Sequence, residues 1–510
     1  GCIDQHQQWT SVYHSKQYGG SYLTCTGDGS SSGKNYALVN FANMPEIKAS
    51  CMITNATFKM EKESTSSVTS YVAVHQVTQS WQENTVTWDS FFSANQTYDP
   101  EFTGQHWNTK VEDFRKVGLS SGVVYSWDVT QVVRKWYSGT PRYGLLLRDM
   151  STYYKGWCTA ESYGNEPCIE IEWVDNTGLE SYWDYATAGL DRSGTANANI
   201  YNGNLIYTHT DLSMNGNLMP ATITHVFNST TRNNNDTKML YGMGWRTNYD
   251  QRILFIDHTQ TPYTSFTKDY YKYTDGDGTE HYFAKDSDNK WKDEDGLGLE
   301  VTISSGIPTI TDKKSNKIVF YPVNDANKPG FLNYIEDHNG NRQTVGYDGN
   351  YRINKITDGA GRDVLLTRDA NGYLQKIRQQ VSDGIYRDTA FTYTSGRLTR
   401  ITYSDANHTD FTYDANGNMS RVNGVDGKKI DFTYQSSFGG AEPYRISYMG
   451  QSTATLEGSS LAFEYGYNLT KLTDSEGRTA TYEFNNRGNT VCVIGPDGSA
   501  GYAAFGTSGG

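Results

Sequence analysis

The sequence lacks the residue patterns that are typical of zinc sites. Its 6 cysteines include no Cys-x-x-Cys pair and its 10 histidines no His-Glu-x-x-His, so neither a zinc fold nor zinc hydrolysis is predicted. Proline is also scarce, at 11 of 510 residues. The densest apolar stretch, YGLLL at 143–147, is far shorter than the about 20 residues of a membrane-spanning helix, so no membrane span is predicted.

Basic residues are in deficit. The chain has 44 Lys and Arg against 57 Asp and Glu, which gives a formal net charge of −13. Because binding to nucleic-acid phosphates depends on clustered Lys and Arg, nucleic acid is not predicted as a partner.

Motifs of nucleophilic and phosphate-binding enzymes occur only out of context. GSSSG at 29–33 and GTSGG at 506–510 match the serine-hydrolase pattern, but both lie in Gly/Ser-rich stretches and not between a strand and a helix. GDGSSSGK is not a phosphate-binding loop, because Asp28 stands where the first glycine is needed. The chain is therefore expected not to be an enzyme.

Aromatic residues and glycine are abundant instead. Aromatics make up 14% of the chain, with 39 Tyr, and there are 50 Gly, although only 36% of residues are hydrophobic. Tyr, Thr, Val and Phe between Gly, Asn and Asp turns are typical of β-structure with a polar surface. Disordered chains lack this aromatic and β-branched content. A large all-β protein is predicted.

Tryptophan marks a division of the chain. Nine of the 11 Trp lie at or before residue 183, whereas the later part uses Tyr and Phe. We predict three regions, which are 1–175, 176–330 and 331–510.

The cysteines are concentrated on the N-terminal side, with five of the 6 before residue 170. Cys158 and Cys168 flank a hairpin-like segment. They either form a disulfide or remain as buried thiols, and the sequence leaves both alternatives open.

The first region has the pattern of a jelly-roll-like β-sandwich. Short runs of alternating apolar residues between turns predict strands, among them YALVNF at 36–41 and CIEIEW at 168–173. In WDVTQVVRKWYSG at 127–139 the apolar residues recur at helical spacing, so a short amphipathic helix is predicted there. Asp128 is placed to cap its start and Gly139 to end it.

Three segments of this region resemble the signature of DNRLRE-type modules: VTQSWQENTVTWDS at 77–90, WDVT at 127–130 and YGLLLRD at 143–149. Those modules are β-sandwiches related to a carbohydrate-binding-module family that includes alginate binders. The resemblance implies a polysaccharide or cell-wall glycan as partner. Tryptophan rings stack on sugars or fill the core of a sandwich, and both roles are open for Trp81, Trp88, Trp107 and Trp157.

The second region contains a hairpin with an acidic turn. YYKYTDGDGTEHYF at 270–283 places aromatic strands around Asp-Gly-Asp-Gly, which needs positive φ. Asp275, Asp277 and Glu280 offer oxygen ligands for a structural calcium ion. The alternative is a solvated turn without an ion. No other cofactor is predicted.

A tight acidic turn recurs through the third region. Asp-x-x-Gly recurs in steps of 11 or 21 residues, and Phe-Thr-Tyr begins at 391, 411 and 432. This period predicts one β-hairpin per repeat. Each Asp side chain is expected to accept the backbone N–H two residues on, and each Gly to take the left-handed conformation that closes the turn. The predicted repeat residues are Tyr347, Asp358, Gly361, Asp369, Gly372, Tyr393, Tyr413, Asp414, Gly417, Tyr434, Asp474 and Gly477.

The line FTYDANGNMSRV at 411–422 is similar to the YD repeat almost position by position, and the stretches at 200–216 and 241–253 resemble the segment that opens the shell of Rhs/YD-repeat proteins. In that family the sheet spirals into a hollow cocoon around a toxin or other cargo. The resemblance implies that this hairpin sheet forms part of such a shell and that a cargo lies outside this chain. The order of module and shell resembles the wall-associated protein A family of Gram-positive bacteria.

These observations predict a non-enzymatic protein secreted to the bacterial cell surface, with a glycan-binding module that presents a shell for a toxin or other cargo. The alternative is an adhesin or a structural subunit of an extracellular tube or filament. In that case self-association would run through the edges of the sheet, whose unpaired N–H and C=O groups template another strand.

Overall fold

The structure is a computed structural model. It describes the backbone of 2–3, 7–13, 16–18 and 22–25, and then residues 36–41, 44–45, 47, 51–82, 85–86, 106–151, 153, 155–159, 166–175, 178–236, 238–264, 266–294, 296–435 and 444–505. Trp88 and the two serine motifs lie outside the described residues.

The N-terminal region, here called the module, folds into two antiparallel six-stranded sheets. Its strands are β1 Cys2–Ile3, β2 Gln7–Tyr13, β3 Lys16–Tyr18, β4 Tyr22–Cys25, β5 Tyr36–Phe41, β6 Cys51–Lys62, β7 Ser70–Gln76, β8 Asp113–Val117, β9 Val123–Asp128, β10 Leu145–Asp149, β11 Lys155–Cys158 and β12 Cys168–Asp175. The first sheet has the order β1-β12-β6-β11-β4, with β9 also paired to β6, and the second the order β3-β2-β5-β10-β7-β8. Apolar residues of both sheets share one core, so the predicted β-sandwich is confirmed.

The predicted helix is present as α1, Thr130–Tyr137. The Oδ1 of Asp128 accepts the backbone N–H of Thr130 at 2.9 Å, and Gly139 follows the last turn with φ 97°. The apolar face of the helix is buried in the module core through Val132, Val133 and Trp136. Among the described residues, no helix is long and apolar enough to cross a bilayer.

A five-stranded antiparallel sheet follows the module, with each strand paired to the next along the chain. Its strands are β13 Tyr185–Gly189, β14 Thr195–Asn199, β15 Leu205–Ser213, β16 Thr222–Asn228 and β17 Trp245–Thr247. Short 3₁₀ turns lie at Asp191–Ser193, Ser229–Thr231 and Val425–Gly427.

The rest of the chain forms one antiparallel sheet of 23 strands, here called the repeat wall, in which each strand pairs with its neighbours in sequence. Its strands are β18 Arg252–Ile256, β19 Tyr270–Thr274, β20 Glu280–Lys285, β21 Trp291–Asp293, β22 Glu300–Ser304, β23 Ile307–Thr311, β24 Lys317–Phe320, β25 Leu332–Glu336, β26 Arg342–Tyr347, β27 Ile353–Thr357, β28 Asp363–Arg368, β29 Leu374–Ser382, β30 Ile385–Thr394, β31 Arg397–Thr402, β32 His408–Tyr413, β33 Met419–Asn423, β34 Lys429–Gln435, β35 Arg445–Ser452, β36 Glu457–Gly466, β37 Leu469–Asp474, β38 Thr479–Phe484, β39 Thr490–Ile494 and β40 Ala500–Tyr502. The prediction of one hairpin per repeat is confirmed. The predicted division at residue 330 has no counterpart in the pairing, because β24 and β25 on either side of it are bonded to each other.

The two ends of the repeat wall differ. At the first end, the backbone N–H of Ile253 in β18 donates to the carbonyl oxygen of Gly330 at 2.8 Å, and Arg252 forms a bridge with Phe331. The first strands therefore curl back on themselves. At the other end, β40 pairs with β39 and with no further strand among the described residues. One edge of the wall is thus partly closed by its own chain, and the outer edge of β40 has no partner among the described strands.

The five-stranded sheet covers one face of the repeat wall, and the two share a single apolar core that extends from Ala186 to Phe484. Backbone hydrogen bonds join them directly, as from Ile446 to Gly203 at 2.9 Å and from Met243 to Gly396 at 2.9 Å. A layer of hairpins is only marginally stable unless one face is covered. The second and third predicted regions consequently depend on each other for their core.

Candidate functional site

The Phe of each Phe-Thr-Tyr segment is buried in the shared core, as Phe391, Phe411 and Phe432 show. Phe411 is 2% exposed, and Thr412 beside it faces solvent. The pairing register shifts between Thr412 and Tyr413, so that Ser420 of the next strand is an extra residue in a β-bulge. Equivalent register shifts precede Tyr347, Tyr393 and Tyr434. Bulges increase twist, and a bulge in each of these repeats bends the wall in a regular way that the sequence pattern did not reveal.

The repeat tyrosines tie successive hairpins together. The hydroxyl of Tyr413 donates to the carbonyl oxygen of Leu398, 15 residues earlier, at 2.6 Å. Burial raises the pKa of Tyr413, so this hydroxyl remains a neutral donor. Equivalent bonds run from Tyr347 to Leu332 at 2.6 Å and from Tyr434 to Met419 at 2.8 Å. These tyrosines therefore have a structural role in the wall.

The acidic turn is a closed hydrogen-bonded unit. The Oδ1 of Asp414 accepts the backbone N–H groups of Asn416 and Asn418, each at 2.9 Å, and Gly417 has φ 85°. The contact two residues on was predicted; the contact four residues on was not. The same pair of contacts is made by Asp358, Asp369 and Asp474, with positive φ at Gly361, Gly372 and Gly477.

The tryptophans considered for glycan stacking lie inside the module. Trp81, Trp107 and Trp157 are 8%, 2% and 0% exposed. The ring of Trp157 packs edge-on against Trp127 at 5.5 Å in the core between the sheets. A buried ring offers no face to a polysaccharide, so the glycan-binding hypothesis for these three is corrected in favour of the core alternative.

The residues considered as calcium ligands are divided between different partners. The Oε1 of Glu280 is paired with the Nζ of Lys272 at 2.9 Å. The Oδ1 of Asp275 accepts three backbone N–H groups of its own turn, from residues 277 to 279, at 2.9–3.1 Å. Burial and the neighbouring carboxylate of Asp275 raise the pKa of Asp277 to about 6. The turn is therefore held by its own hydrogen bonds.

A group that spacing in the sequence did not reveal lies beside this turn. The Nε2 of His281 lies 3.4 Å from the Oε1 of Glu180 and 3.4 Å from the Oδ2 of Asp275. Burial favours a raised pKa for Asp275, but the hydrogen bond and charge of His281 outweigh it and lower the pKa of this carboxyl. His281 thus connects Glu180, which precedes the five-stranded sheet, with the acidic turn of the repeat wall.

The module is joined to the repeat wall by α1. The Nε of Arg134 donates to the carbonyl oxygen of Ile53 within the module at 2.7 Å. Its Nη1 donates to the Oδ1 of Asn468 at 3.1 Å and its Nη2 to the carbonyl oxygen of Asn486 at 3.3 Å. One guanidinium therefore bonds to both parts of the chain.

Three family models match the chain in segments that follow this architecture. Carbohydrate-binding module family 96 matches residues 8–172, which is the module. A domain of unknown function, DUF6531, matches 198–283, and the RHS Repeat matches 393–429 within the wall. The chain is an Rhs/YD-repeat protein with an N-terminal carbohydrate-binding-like module. The families of this Rhs/YD-repeat protein are in general non-catalytic and typical of extracellular proteins.

Solved toxin structures match this Rhs/YD-repeat protein at low identity. The crystal structure of TcdB2-TccC3 is 11% identical, covers 75% of this chain and 25% of that chain, and has a TM-score of 0.25. The Tc holotoxin pore of Photorhabdus luminescens is 11% identical, with coverage of 93% and 29% and a TM-score of 0.27. The chain spans less than a third of the length of these toxin chains. The comparison with curated proteins gave no match.

Proposed function

We propose that this chain is a non-enzymatic protein secreted to the bacterial cell surface, and that its module binds a polysaccharide or cell-wall glycan. The observation that carries the proposal is the match of carbohydrate-binding module family 96 over 8–172, a segment with an apolar core of its own. The deficit of basic residues across the chain supports a glycan over nucleic acid.

We further propose that the repeat wall is part of a shell that encloses a toxin or other cargo in the complete protein. The regular bulges support this role, because each one adds twist and so bends the sheet. The outer edge of β40, with which no other described strand pairs, could accept a further hairpin that continues the wall.

The test is a pull-down of the full chain on insoluble polysaccharides and on purified bacterial cell walls, with fragments 1–175 and 178–510 alongside. We expect the full chain to be retained and fragment 178–510 not to be, and fragment 1–175 to melt cooperatively because its core is separate. Heat-denatured full chain serves as the control for nonspecific adsorption. Retention that follows fragment 178–510 would assign glycan binding to the wall, and the absence of retention on every matrix would refute the glycan-binding proposal.

A second candidate function is a subunit of an extracellular filament or tube. The outer edge of β40 supports it, because no other described strand pairs with it and an unpaired strand edge templates pairing with another chain. Tyr502 in this strand is 82% exposed. Electron microscopy and sedimentation of the full chain separate the two: long regular assemblies would favour the filament, and monomers at high concentration would eliminate it.

A further inference from the structure

A cleft of about 610 Å³ opens between the module and the repeat wall. On the module side it is lined by Glu172 and Trp173 of β12, and on the wall side by Phe266 and Tyr282. Its volume is that of a small-molecule or short-oligomer site. Because the module and the repeat wall both contribute lining residues, neither part forms this cleft alone.

The apolar side of the cleft is a group of aromatic rings in contact. The rings of Trp173 and Phe266 meet edge to face, with centroids 5.7 Å apart. Phe266 in turn stacks on Tyr282 at 6.4 Å. All three are partly exposed, unlike the buried tryptophans of the module core. Partly exposed aromatic faces of this kind receive the C–H face of a sugar ring, while their remaining surface is packed and rigid.

The polar side of the cleft includes a carboxylate and a guanidinium that make no side-chain hydrogen bond within the described residues. These are Glu172 and Arg487, both of which are exposed and form no ion pair with another described residue. Lys268, by contrast, is already paired with Glu294 at 2.8 Å. A carboxylate only accepts and a guanidinium only donates, whereas a sugar hydroxyl does both. The two unpaired side chains therefore suit a hydroxyl-rich ligand.

The charge of the cleft selects among such ligands. Three carboxylates and two cations line it, which are Glu170, Glu172, Glu294, Lys268 and Arg487. Glu170 is paired with Lys59 and Glu294 with Lys268. Among the described residues, Arg487 is then the one lining cation without an ion pair and Glu172 the one such carboxylate. A polyanionic glycan would find one unpaired cation offset by one unpaired carboxylate, and so no net electrostatic attraction. The balance favours an uncharged chain.

We propose that this junction cleft binds a short neutral oligosaccharide, with Trp173 and Phe266 as the stacking surface and Glu172 and Arg487 as hydrogen-bonding partners. The proposal rests on the glycan-binding function proposed above, to which it adds a location and a ligand class. It also assigns part of the glycan site to the repeat wall.

The test is isothermal titration calorimetry on the full chain with cellohexaose, chitohexaose, mannohexaose and an alginate hexamer. We expect at least one neutral hexasaccharide to bind, and Trp173→Ala and Phe266→Ala each to weaken that binding by about tenfold or more. Phe114→Ala is the matched control, because Phe114 is an aromatic residue 57% exposed on the other sheet of the module. It should change the affinity by less than about twofold.

The outcomes separate this proposal from the broader one. The cleft proposal is wrong if neither Phe266→Ala nor Arg487→Ala changes the affinity. It is also wrong if the alginate hexamer binds more tightly than every neutral hexasaccharide. Neither result would contradict glycan binding by the chain. The same holds if cell walls retain the full chain but no neutral hexasaccharide binds. If the full chain binds no bacterial cell wall, no insoluble polysaccharide and no hexasaccharide, both the cleft proposal and the glycan-binding proposal are wrong. Because Arg487 is exposed, Arg487→Ala should fold, and its effect on the affinity can be measured even if Trp173→Ala does not fold.

Discussion

The Nδ1 of His209 lies 2.8 Å from the Oδ1 of Asp211, and both side chains are fully buried. The other oxygen of Asp211 is bonded to the Nδ1 of His225. On its far side, the Nε2 of His209 is 2.9 Å from the hydroxyl of Tyr403 in the segment that follows β31. This network joins the five-stranded sheet to the repeat wall inside their shared core.

The first prediction concerns the charge of Asp211. Burial favours a raised pKa, but the charge of His225 and the hydrogen bonds from both histidines outweigh it, so the folded-state pKa of Asp211 is lowered. A lowered folded-state pKa contributes stability above the unfolded value of about 4 and loses it as pH falls through the folded value. We expect Asp211→Asn to reduce the free energy of unfolding by about 3 kcal/mol at neutral pH.

Urea unfolding of both proteins between neutral pH and pH 3 measures this effect. The difference between them should shrink as the pH falls below about 4. Asp410→Asn is the control, because Asp410 forms a half-exposed pair with Arg400 and should change stability by less than about 1 kcal/mol. Equal losses in the two variants would contradict a special role for the buried carboxylate.

The second prediction compares two repeat tyrosines. The hydroxyl of Tyr413 donates to Leu398 and accepts the indole N–H of Trp245 at 2.8 Å. Tyr413→Phe leaves both groups buried without a partner and should destabilise the fold by about 1–3 kcal/mol. The buried hydroxyl of Tyr393 has no hydrogen-bond partner among the described residues, so Tyr393→Phe should be neutral or stabilising. Thermal melts of the two variants decide the matter, and a loss in Tyr393→Phe as large as in Tyr413→Phe would show that this prediction is wrong.

The third prediction compares two turn glycines with nearly the same backbone conformation. Gly361 and Gly417 have φ of 77° and 85°. A Cβ on Gly361 would meet nothing within 4 Å. Gly361→Ala should therefore lower the free energy of unfolding only by the cost of a left-handed backbone for alanine, about 1–2 kcal/mol. A Cβ on Gly417 would lie 2.3 Å from the Nη2 of Arg397 and from the Oδ1 of Asn233, two groups that are bonded to each other.

Gly417→Ala must therefore displace this bonded pair and should cost about 1 kcal/mol or more beyond Gly361→Ala. Urea unfolding midpoints of the two variants measure the difference. A smaller loss in Gly417→Ala would mean that the contact with Asn233 does not hold the wall against the five-stranded sheet.

The fourth prediction concerns calcium. The Oδ1 of Asp275 is already occupied by three backbone N–H groups, and Glu280 is paired with Lys272. We expect millimolar calcium or EDTA to shift the melting temperature by less than about 1 °C, because an ion that does not bind the folded state adds no stability. If calcium raises the melting temperature and Asp277→Asn abolishes that rise, the turn binds calcium and this prediction is wrong.

The helix and the repeat hairpins could be predicted because their determinants are local. The turn that begins at Asp414 closes within five residues through its own carboxylate and Gly417. The helix α1 followed from apolar spacing within two turns and from Asp128 before it. Interactions of this range depend only on neighbouring residues, and the repeat shows the same pattern several times in one sequence.

The tertiary structure alone decided which side chains are buried and which meet across the chain. Nothing near Trp157 in sequence distinguishes its buried ring from a partly exposed one such as that of Trp173, because burial depends on what the other sheet and the repeat wall place over it. Arg134 and Asn468 meet across 334 positions, and the cleft between module and wall exists only where such distant segments come together. Contacts of this kind are set by the packing of whole sheets. The repeat pattern is the same in every hairpin, so it does not indicate which hairpin lies beside the module.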